Sequence, residues 1–101
     1  MPDNGRPPEM VFEWDPNKAL RNHRDHRVRF EAAQYVFGDE DRIEEIDDRV
    51  DYGEERWRTT GMLHDRVLVV VYTEVDGVIR LISARKADDG EEARYFREKF
   101  G

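Results

Sequence analysis

A predicted β-hairpin in the second half of the chain constrains this fold more than any other segment. Two β-rich runs within residues 67–84 flank Asp76-Gly77, a dipeptide that favours a two-residue type I′ turn because both positions accept positive φ. A loop of that length places Thr73 opposite Arg80. Both faces of the hairpin are largely apolar, which is typical of strands at the centre of a sheet.

The segments around this hairpin predict an α+β fold. Further strands are expected at residues 11–14 and 55–60, and helices at about 15–25, 30–37 and 90–100. Asp15 before Pro16 is typical of a helix N-terminus, and Gly38 suits a helix end. The sequence therefore predicts a small antiparallel sheet with two N-terminal helices and one C-terminal helix.

The net charge of -7 is concentrated in one segment. Residues 39–55 contain ten acidic and two basic side chains, a net -8, so the rest of the chain sums to +1. Two interpretations stay open: a solvated edge or loop, or a segment that repels RNA or attracts a basic partner. The spacing of Ile43, Ile46 and Val50 is helical, but the stretch is short and lacks a clear cap, which favours a strand or irregular structure.

Length and composition bound the remaining possibilities. A chain of 101 residues fits one domain, which we place at residues 10–101 behind a disordered leader at residues 1–9. No apolar run approaches the ~20 residues of a membrane span, and the N-terminus lacks the apolar stretch of a secretory signal. Because Cys is absent, disulfides, thiol catalysis and Cys-based zinc sites are excluded. A cytoplasmic location is the default expectation.

The basic residues indicate a phosphate-binding face despite the acidic total. Arg outnumbers Lys fourteen to three, and the planar guanidinium suits phosphate and carboxylate groups. Neither a Walker-type phosphate loop nor a Gly-rich dinucleotide motif is present. His23 and His26 have an i, i+3 spacing that metal sites can use, but no HExxH motif accompanies them, so we expect neither a metal nor another cofactor.

The Arg, His, Glu and Tyr side chains that remain are the groups needed to cleave RNA without a metal. A base takes the proton of the 2′-hydroxyl, an acid protonates the leaving oxygen, and cations stabilise the charge that develops on the phosphate. The same residue types also have ordinary structural roles. Arginines pair with carboxylates, a lone His caps or packs, and a Tyr lies half-buried on a helix.

The spacing of Arg80 and Arg85 sets a condition on any site that uses both. The two positions differ by an odd number of residues, so a regular strand places them on opposite faces of the sheet. They can share a site only if a β-bulge lies between them or Arg85 lies beyond the end of the strand.

An ordered series of short motifs runs through residues 10–97. Two strings are fairly specific together: Gly53-Glu54-Glu55-Arg56 and Ile79-Arg80-Leu81-Ile82-Ser83-Ala84-Arg85-Lys86-Ala87. The other members of the series are Phe12-Glu13-Trp14-Asp15, Lys18, Asn22, Asp25-His26, Phe30-Glu31-Ala32-Ala33, Val36-Phe37, Asp51-Tyr52, Gly61, Val69-Val70-Val71-Tyr72-Thr73-Glu74, Glu91 and Tyr95. This series resembles the BrnT family, the toxins of BrnT/BrnA type II toxin–antitoxin systems.

The resemblance implies a RelE-like α+β fold and an endoribonuclease that inhibits bacterial translation. It also implies neutralisation by a BrnA-type antitoxin, which binds DNA, so that the toxin itself would meet DNA only through the complex. The site residues that the resemblance carries over are His26, Glu54, Arg56, Arg80, Arg85 and Tyr95. We assign the three arginines to phosphate binding, and Glu54, His26 or Tyr95 to proton transfer.

Departures from the family pattern motivate an alternative hypothesis. The family usually reads Lys-His-Gly where this chain has Asp25-His26-Arg27, and Arg29 stands where a capping Ser or Thr is common. The absence of the Lys weakens a phosphate site, and the absence of the Gly affects a turn that can need positive φ. The alternative is a catalytically decayed, BrnT-like interaction module that binds a basic, antitoxin-like partner.

Overall fold

A five-stranded sheet and its covering helices make up the residues that the computed structural model describes, 10–48 and 53–101. The strands are β1 (Val11–Glu13), β2 (Ile43–Ile46), β3 (Trp57–Leu63), β4 (Arg66–Val75) and β5 (Val78–Lys86). The α-helices are α1 (Pro16–His26), α2 (Phe30–Ala33) and α3 (Asp89–Phe100), and a 3-10 helix, Gln34–Gly38, directly follows α2. The leader expected at residues 1–9 and residues 49–52 of the acidic segment lie outside the described residues.

The sheet is mixed, in the order β1-β5-β4-β3-β2. β1 runs parallel to β5, and the other neighbouring strands are antiparallel. The α+β class is confirmed, but the expectation of a small antiparallel sheet is wrong. A hairpin pattern predicts pairing only between strands that follow one another in sequence. β1 lies near the start of the chain, and it pairs with the edge of β5 that faces away from β4.

The hairpin is confirmed at its turn. Thr73 pairs with Arg80, and the φ values of Asp76 and Gly77 are +53° and +80°, as a type I′ turn requires. β4 is the central strand of the sheet and β5 lies next to it, in agreement with the apolar character of both hairpin faces.

The pairing changes register farther from the turn. Regular pairing would place Ile82 opposite Val71, but Val71 pairs with Ser83, while Leu81 still pairs with Tyr72. Ile82 is therefore the extra residue of a β-bulge, and each side chain after it occupies the opposite face from the one that strict alternation predicts.

The two faces of the sheet bury different clusters. Side chains of α2 and the 3-10 helix, including Phe30 and Phe37, pack on the face that carries Leu68 and Leu81. Phe37 makes edge-on contacts with Phe12 and Tyr72, with ring centroids 5.2 and 4.9 Å apart. Phe12 and Trp14, which alternate along the first strand segment, both pack against this cluster.

On the opposite face, α3 supplies Tyr95 and Phe96, which pack with Val67 and Val69. Of the helices in the described ranges, none combines the length and apolar character that a membrane span requires.

Local signals place the helix ends. The carboxylate of Asp15 accepts the N–H of Asn17 at 2.8 Å, so Asp15 is the N-cap of α1 as predicted. At the other end of α1, Arg27 adopts left-handed backbone with φ +59°, at the position where the resemblance implies Gly. The turn therefore keeps its positive φ, at a cost of about 1–2 kcal/mol for a residue with a Cβ. The second helix begins at Phe30 as predicted and tightens into the 3-10 helix.

Asn22 fastens α1 to the sheet. Its side chain is buried, 6% exposed. The amide Nδ2 donates to the carbonyl oxygens of Ala84 at 2.8 Å and Val28 at 2.9 Å, and Oδ1 accepts the N–H of Ala84 at 3.0 Å. β1 covers β5 only as far as Arg80, so the amide takes the place of a neighbouring strand for backbone groups that would otherwise be buried without partners.

We expect Asn22→Ala to lower the free energy of unfolding by about 2–4 kcal/mol, because three buried backbone groups lose their partner. Asn17→Ala is the matched control: the side chain is exposed on the same helix, and its removal should change stability by less than about 0.5 kcal/mol. Urea denaturation of both variants measures the difference. Equal midpoints would show that Asn22 does not hold α1 on the sheet.

Candidate active site

The bulge at Ile82 brings Arg80 and Arg85 to one face of the sheet. Arg80 pairs with Thr73 and Arg85 pairs with Val69, and directly opposed residues share a face. Thr73 and Val69 are four residues apart on β4, so they lie on the same side. The bulge at Ile82 therefore meets the condition stated above for a site that uses both Arg80 and Arg85.

Arg58 lies on this side as well, because it pairs with Val71, which stands between Val69 and Thr73 in the same alternation. We call this side, with Arg58, Arg80 and Arg85, the arginine face. α3 covers one end of it through Tyr95 and Phe96.

Arg85 is held by α3. Its Nη1 and Nη2 donate to the two carboxylate oxygens of Glu91 at 2.7 and 2.9 Å. Glu91 also accepts the N–H of Asp88, and the Asp88 carboxylate accepts the N–H of Glu91, which together form the capping box of α3. Chiefly through the hydrogen bonds from Arg85, the pKa of Glu91 falls from 4.5 to about 2. Arg85 is thus a fixed cation with its orientation set by the helix.

Arg56 and Arg58 have carboxylate partners from the acidic segment. Arg56 Nε lies 3.3 Å from Glu54. Arg58 bridges Glu45 at 3.1 Å and the buried Asp47 at 3.3 Å. Residues Ile43–Ile46 of the acidic segment form the edge strand β2, and Glu45 in this strand and Asp47 directly after it neutralise Arg58 of the neighbouring strand. β3 and β4 separate β2 from β5, which carries Arg80.

Arg80 differs from the other arginines of this face. Its side chain is exposed, and it makes no hydrogen bond or ion pair with any residue in the described ranges. It lies near the hairpin turn, at the end of the face that α3 leaves open. An anionic group can reach this guanidinium without displacing a carboxylate.

Tyr95 is a buried residue of α3 that connects this helix to Asp39 through a hydrogen bond. Its ring is fully buried, 0% exposed, and its hydroxyl donates to Asp39 at 2.5 Å. The same Asp39 oxygen accepts the N–H of Met62 at 2.7 Å. Gly61 permits this close packing, because a Cβ there would lie 2.7 Å from a methyl carbon of Val36. Burial, and then the hydrogen bond to Asp39, raise the pKa of Tyr95.

His26 lies apart from the arginine face, at the C-terminal end of α1. It lines an open cavity of about 240 Å³ together with Lys18, Arg21, Asn22, Asp25 and Ile82. We call this cavity the edge groove, because it follows the side of β5 that β1 leaves uncovered. Ile82, the bulge residue, connects the groove to the strand that carries Arg80 and Arg85.

The structure therefore places Arg80 and Arg85 on one face of the sheet, opposite β4 residues that are roughly 13 Å apart. It places Glu54 and Arg56 just before β3 and His26 at the sheet edge, and it buries Tyr95. From the sequence, no site role was predicted for Arg58 on the arginine face, for Glu91, which binds Arg85, or for Lys18, which lines the edge groove; Lys18 and Glu91 entered only as members of the motif series. Alternation with Arg56 was a signal for Arg58, and the spacing of Glu91 from Asp88 fits a capping box, but nothing local indicated that Glu91 would bind Arg85. Among the described residues no group of three or more His, Asp or Glu side chains is arranged to hold a metal ion.

A comparison with protein families gives a match over most of the chain. A family model described as "Ribonuclease toxin, BrnT, of type II toxin-antitoxin system" matches residues 14–91. The match includes the edge groove and both arginines of β5, and it ends before Tyr95. No curated protein matches the chain.

We expect Glu91→Gln to destabilise the protein near neutral pH and to do so less in acid. The folded-state pKa of Glu91, about 2, lies below its ordinary 4.5, so the carboxylate stabilises fully above pH 4.5 and loses this effect as the pH falls toward 2. The measurement is the free energy of unfolding of wild type and variant between pH 3 and 7. Glu92→Gln is the control, since Glu92 makes no ion pair within the described residues. A pH-independent gap between wild type and Glu91→Gln would contradict the pairing.

Proposed function

This chain belongs to the BrnT family, ribonuclease toxins of type II toxin–antitoxin systems, and from that membership we propose how its arginine face cleaves RNA. The attacking group is the 2′-hydroxyl of the substrate, and the arginines supply the positive charge, so that the reaction needs no metal ion. A BrnA-type protein is the antitoxin partner, and DNA is met only through that complex.

Arg80 binds the scissile phosphate. The observation that carries this proposal is its exposed guanidinium, which has no carboxylate partner among the described residues although the chain is rich in acidic groups. A guanidinium offers two parallel N–H donors to phosphate oxygens. These hydrogen bonds strengthen as negative charge develops in the transition state, and that is where binding energy accelerates the reaction.

Arg85 and Arg56 provide a fixed positive field around this phosphate. Glu91 orients Arg85 through two hydrogen bonds, and Glu54 contacts Arg56. A cation that is already oriented need not reorganise when the charge develops. Their carboxylate partners reduce the net charge, so we assign the larger share of transition-state stabilisation to Arg80.

Proton transfer falls to Glu54 and His26. The attacking and leaving oxygens lie roughly in line through the phosphorus, so the base and the acid must stand on opposite sides of it. Glu54 precedes β3 and His26 lies beyond β5, with the arginines of β5 between them. Tyr95 acts as a positioning residue, because its buried hydroxyl with a raised pKa already donates to Asp39.

The departures at Asp25 and Arg27 leave the arginine face intact. Asp25 pairs with Arg24 at 2.9 Å, and Arg27 retains the positive φ of the turn. Both residues flank His26 at the end of α1. Because Arg24 binds Asp25 and the turn keeps its positive φ, neither departure removes the imidazole or the arginines, which favours a working nuclease over a decayed interaction module.

We expect the purified wild type to cleave RNA in the presence of EDTA, and Arg80→Ala to be slower by about 10²–10³-fold in kcat/KM, because one donor to the transition-state charge is removed. Gel analysis of a labelled RNA with mapped cleavage sites measures this. Arg66→Ala removes an exposed arginine at the far end of β4 and should cleave as the wild type does.

Three results would contradict the proposal: cleavage that EDTA abolishes, RNA left intact by the wild type, or Arg80→Ala as active as Arg66→Ala. Thermal melting of both variants guards against a folding defect. Because Arg80 is exposed, its removal should leave the melting temperature close to that of the wild type.

A further inference from the structure

The edge groove holds cations that the cleavage mechanism does not use. Lys18 and Arg21 stand one turn apart on α1 and line the groove with His26. Neither makes an ion pair with a residue in the described ranges. The one carboxylate of the lining, Asp25, is engaged by Arg24, and its pKa is lowered chiefly by that hydrogen bond. The groove therefore presents a net positive charge to solvent.

The groove adjoins the arginine face through the bulge. Ile82 forms part of its lining and lies two residues after Arg80, roughly 7 Å along the strand. β1 ends its pairing at Arg80, so no strand within the described residues separates the groove from Arg80 at this edge. The backbone of an RNA strand with one phosphate bound to Arg80 can continue over Ile82 toward α1.

We propose that the edge groove is a second phosphate subsite, in which Lys18 and Arg21 bind the RNA backbone beside the scissile phosphate. This proposal rests on cleavage at the arginine face and extends it. The substrate is then an RNA segment that crosses the open edge of β5, and flanking nucleotides contribute to affinity on the side of the groove. The contacts are to phosphate alone, so they strengthen binding without selecting sequence.

The test compares two double variants with the same change in charge. Lys18→Ala/Arg21→Ala removes the groove cations, and Arg66→Ala/Arg97→Ala removes two arginines that also make no ion pair within the described residues and lie outside the site. The probe is a fluorescent 2′-O-methyl RNA of about 20 nucleotides, which cannot be cleaved through its 2′-oxygen. Fluorescence anisotropy over a salt series gives the dissociation constant and its salt dependence.

The groove variant should bind this RNA about tenfold more weakly than the control, and the slope of log K against log salt should be smaller by about 0.7 for each phosphate that the variant no longer binds. Shortening the RNA on the flank that meets the groove should weaken the wild type to the level of the groove variant and leave that variant unchanged. Equal affinity and slope for the two double variants would overturn the subsite.

Two further measurements separate this proposal from the catalytic one. If the wild type fails to cleave ordinary RNA while the groove variant still shows reduced affinity, the cleavage mechanism is wrong and the groove remains an RNA-binding surface. If the groove variant binds RNA normally but fails to co-purify with the antitoxin, the groove belongs to the protein partner and the RNA subsite is wrong.

Discussion

The placement of Arg85 on the same face as Arg80 depends on one extra residue in β5. Ile82 shifts the pairing with β4, so that Arg85 faces the same side as Arg80. Two residues farther, the backbone N–H and C=O of Ala84 turn outward and bind the side-chain amide of Asn22. The bulge and the docking of α1 are thus neighbouring parts of one arrangement. It gathers the arginines on one face and brings the edge groove beside them.

The acidic net charge does not oppose an RNA substrate at Arg80, because the described carboxylates of β2 lie two strands away from β5. β2 carries Glu45, which binds Arg58 and Arg94, and the buried Asp47 that follows β2 also binds Arg58. β3 and β4 stand between this strand and β5. These carboxylates therefore neutralise arginines of β3 and α3, whereas Arg80 of β5 and Lys18 and Arg21 of α1 make no ion pair within the described residues. Of the two interpretations that the charge pattern left open, the described part of the segment fits an edge strand.

Turns and helix caps could be predicted from the residues that form them. The pairing of strands that are distant in sequence could not, because it depends on contacts that the spacing of residues does not encode. The positive φ of Asp76-Gly77 and the cap at Asp15 follow from the residues themselves. The parallel pairing of β1 does not, because its partner β5 is far away in sequence, and the spacing of Arg80 and Arg85 gave the bulge only as one of two conditions for a shared site. The site shows the same limit: resemblance carried Tyr95 over as a site residue, but its hydroxyl binds Asp39, 56 positions away, a contact with no signal in either segment.

A double-mutant cycle on RNA cleavage tests most directly whether the bulge makes Arg80 and Arg85 act on one phosphate. The measurement is kcat/KM for the wild type, Arg80→Ala, Arg85→Ala and the double variant. Residues that share one substrate group should show a coupling free energy of about 1–2 kcal/mol, so the double variant loses less than the two single losses combined. Losses that add within about 0.3 kcal/mol, or an Arg85→Ala variant with the wild-type rate, would contradict the account.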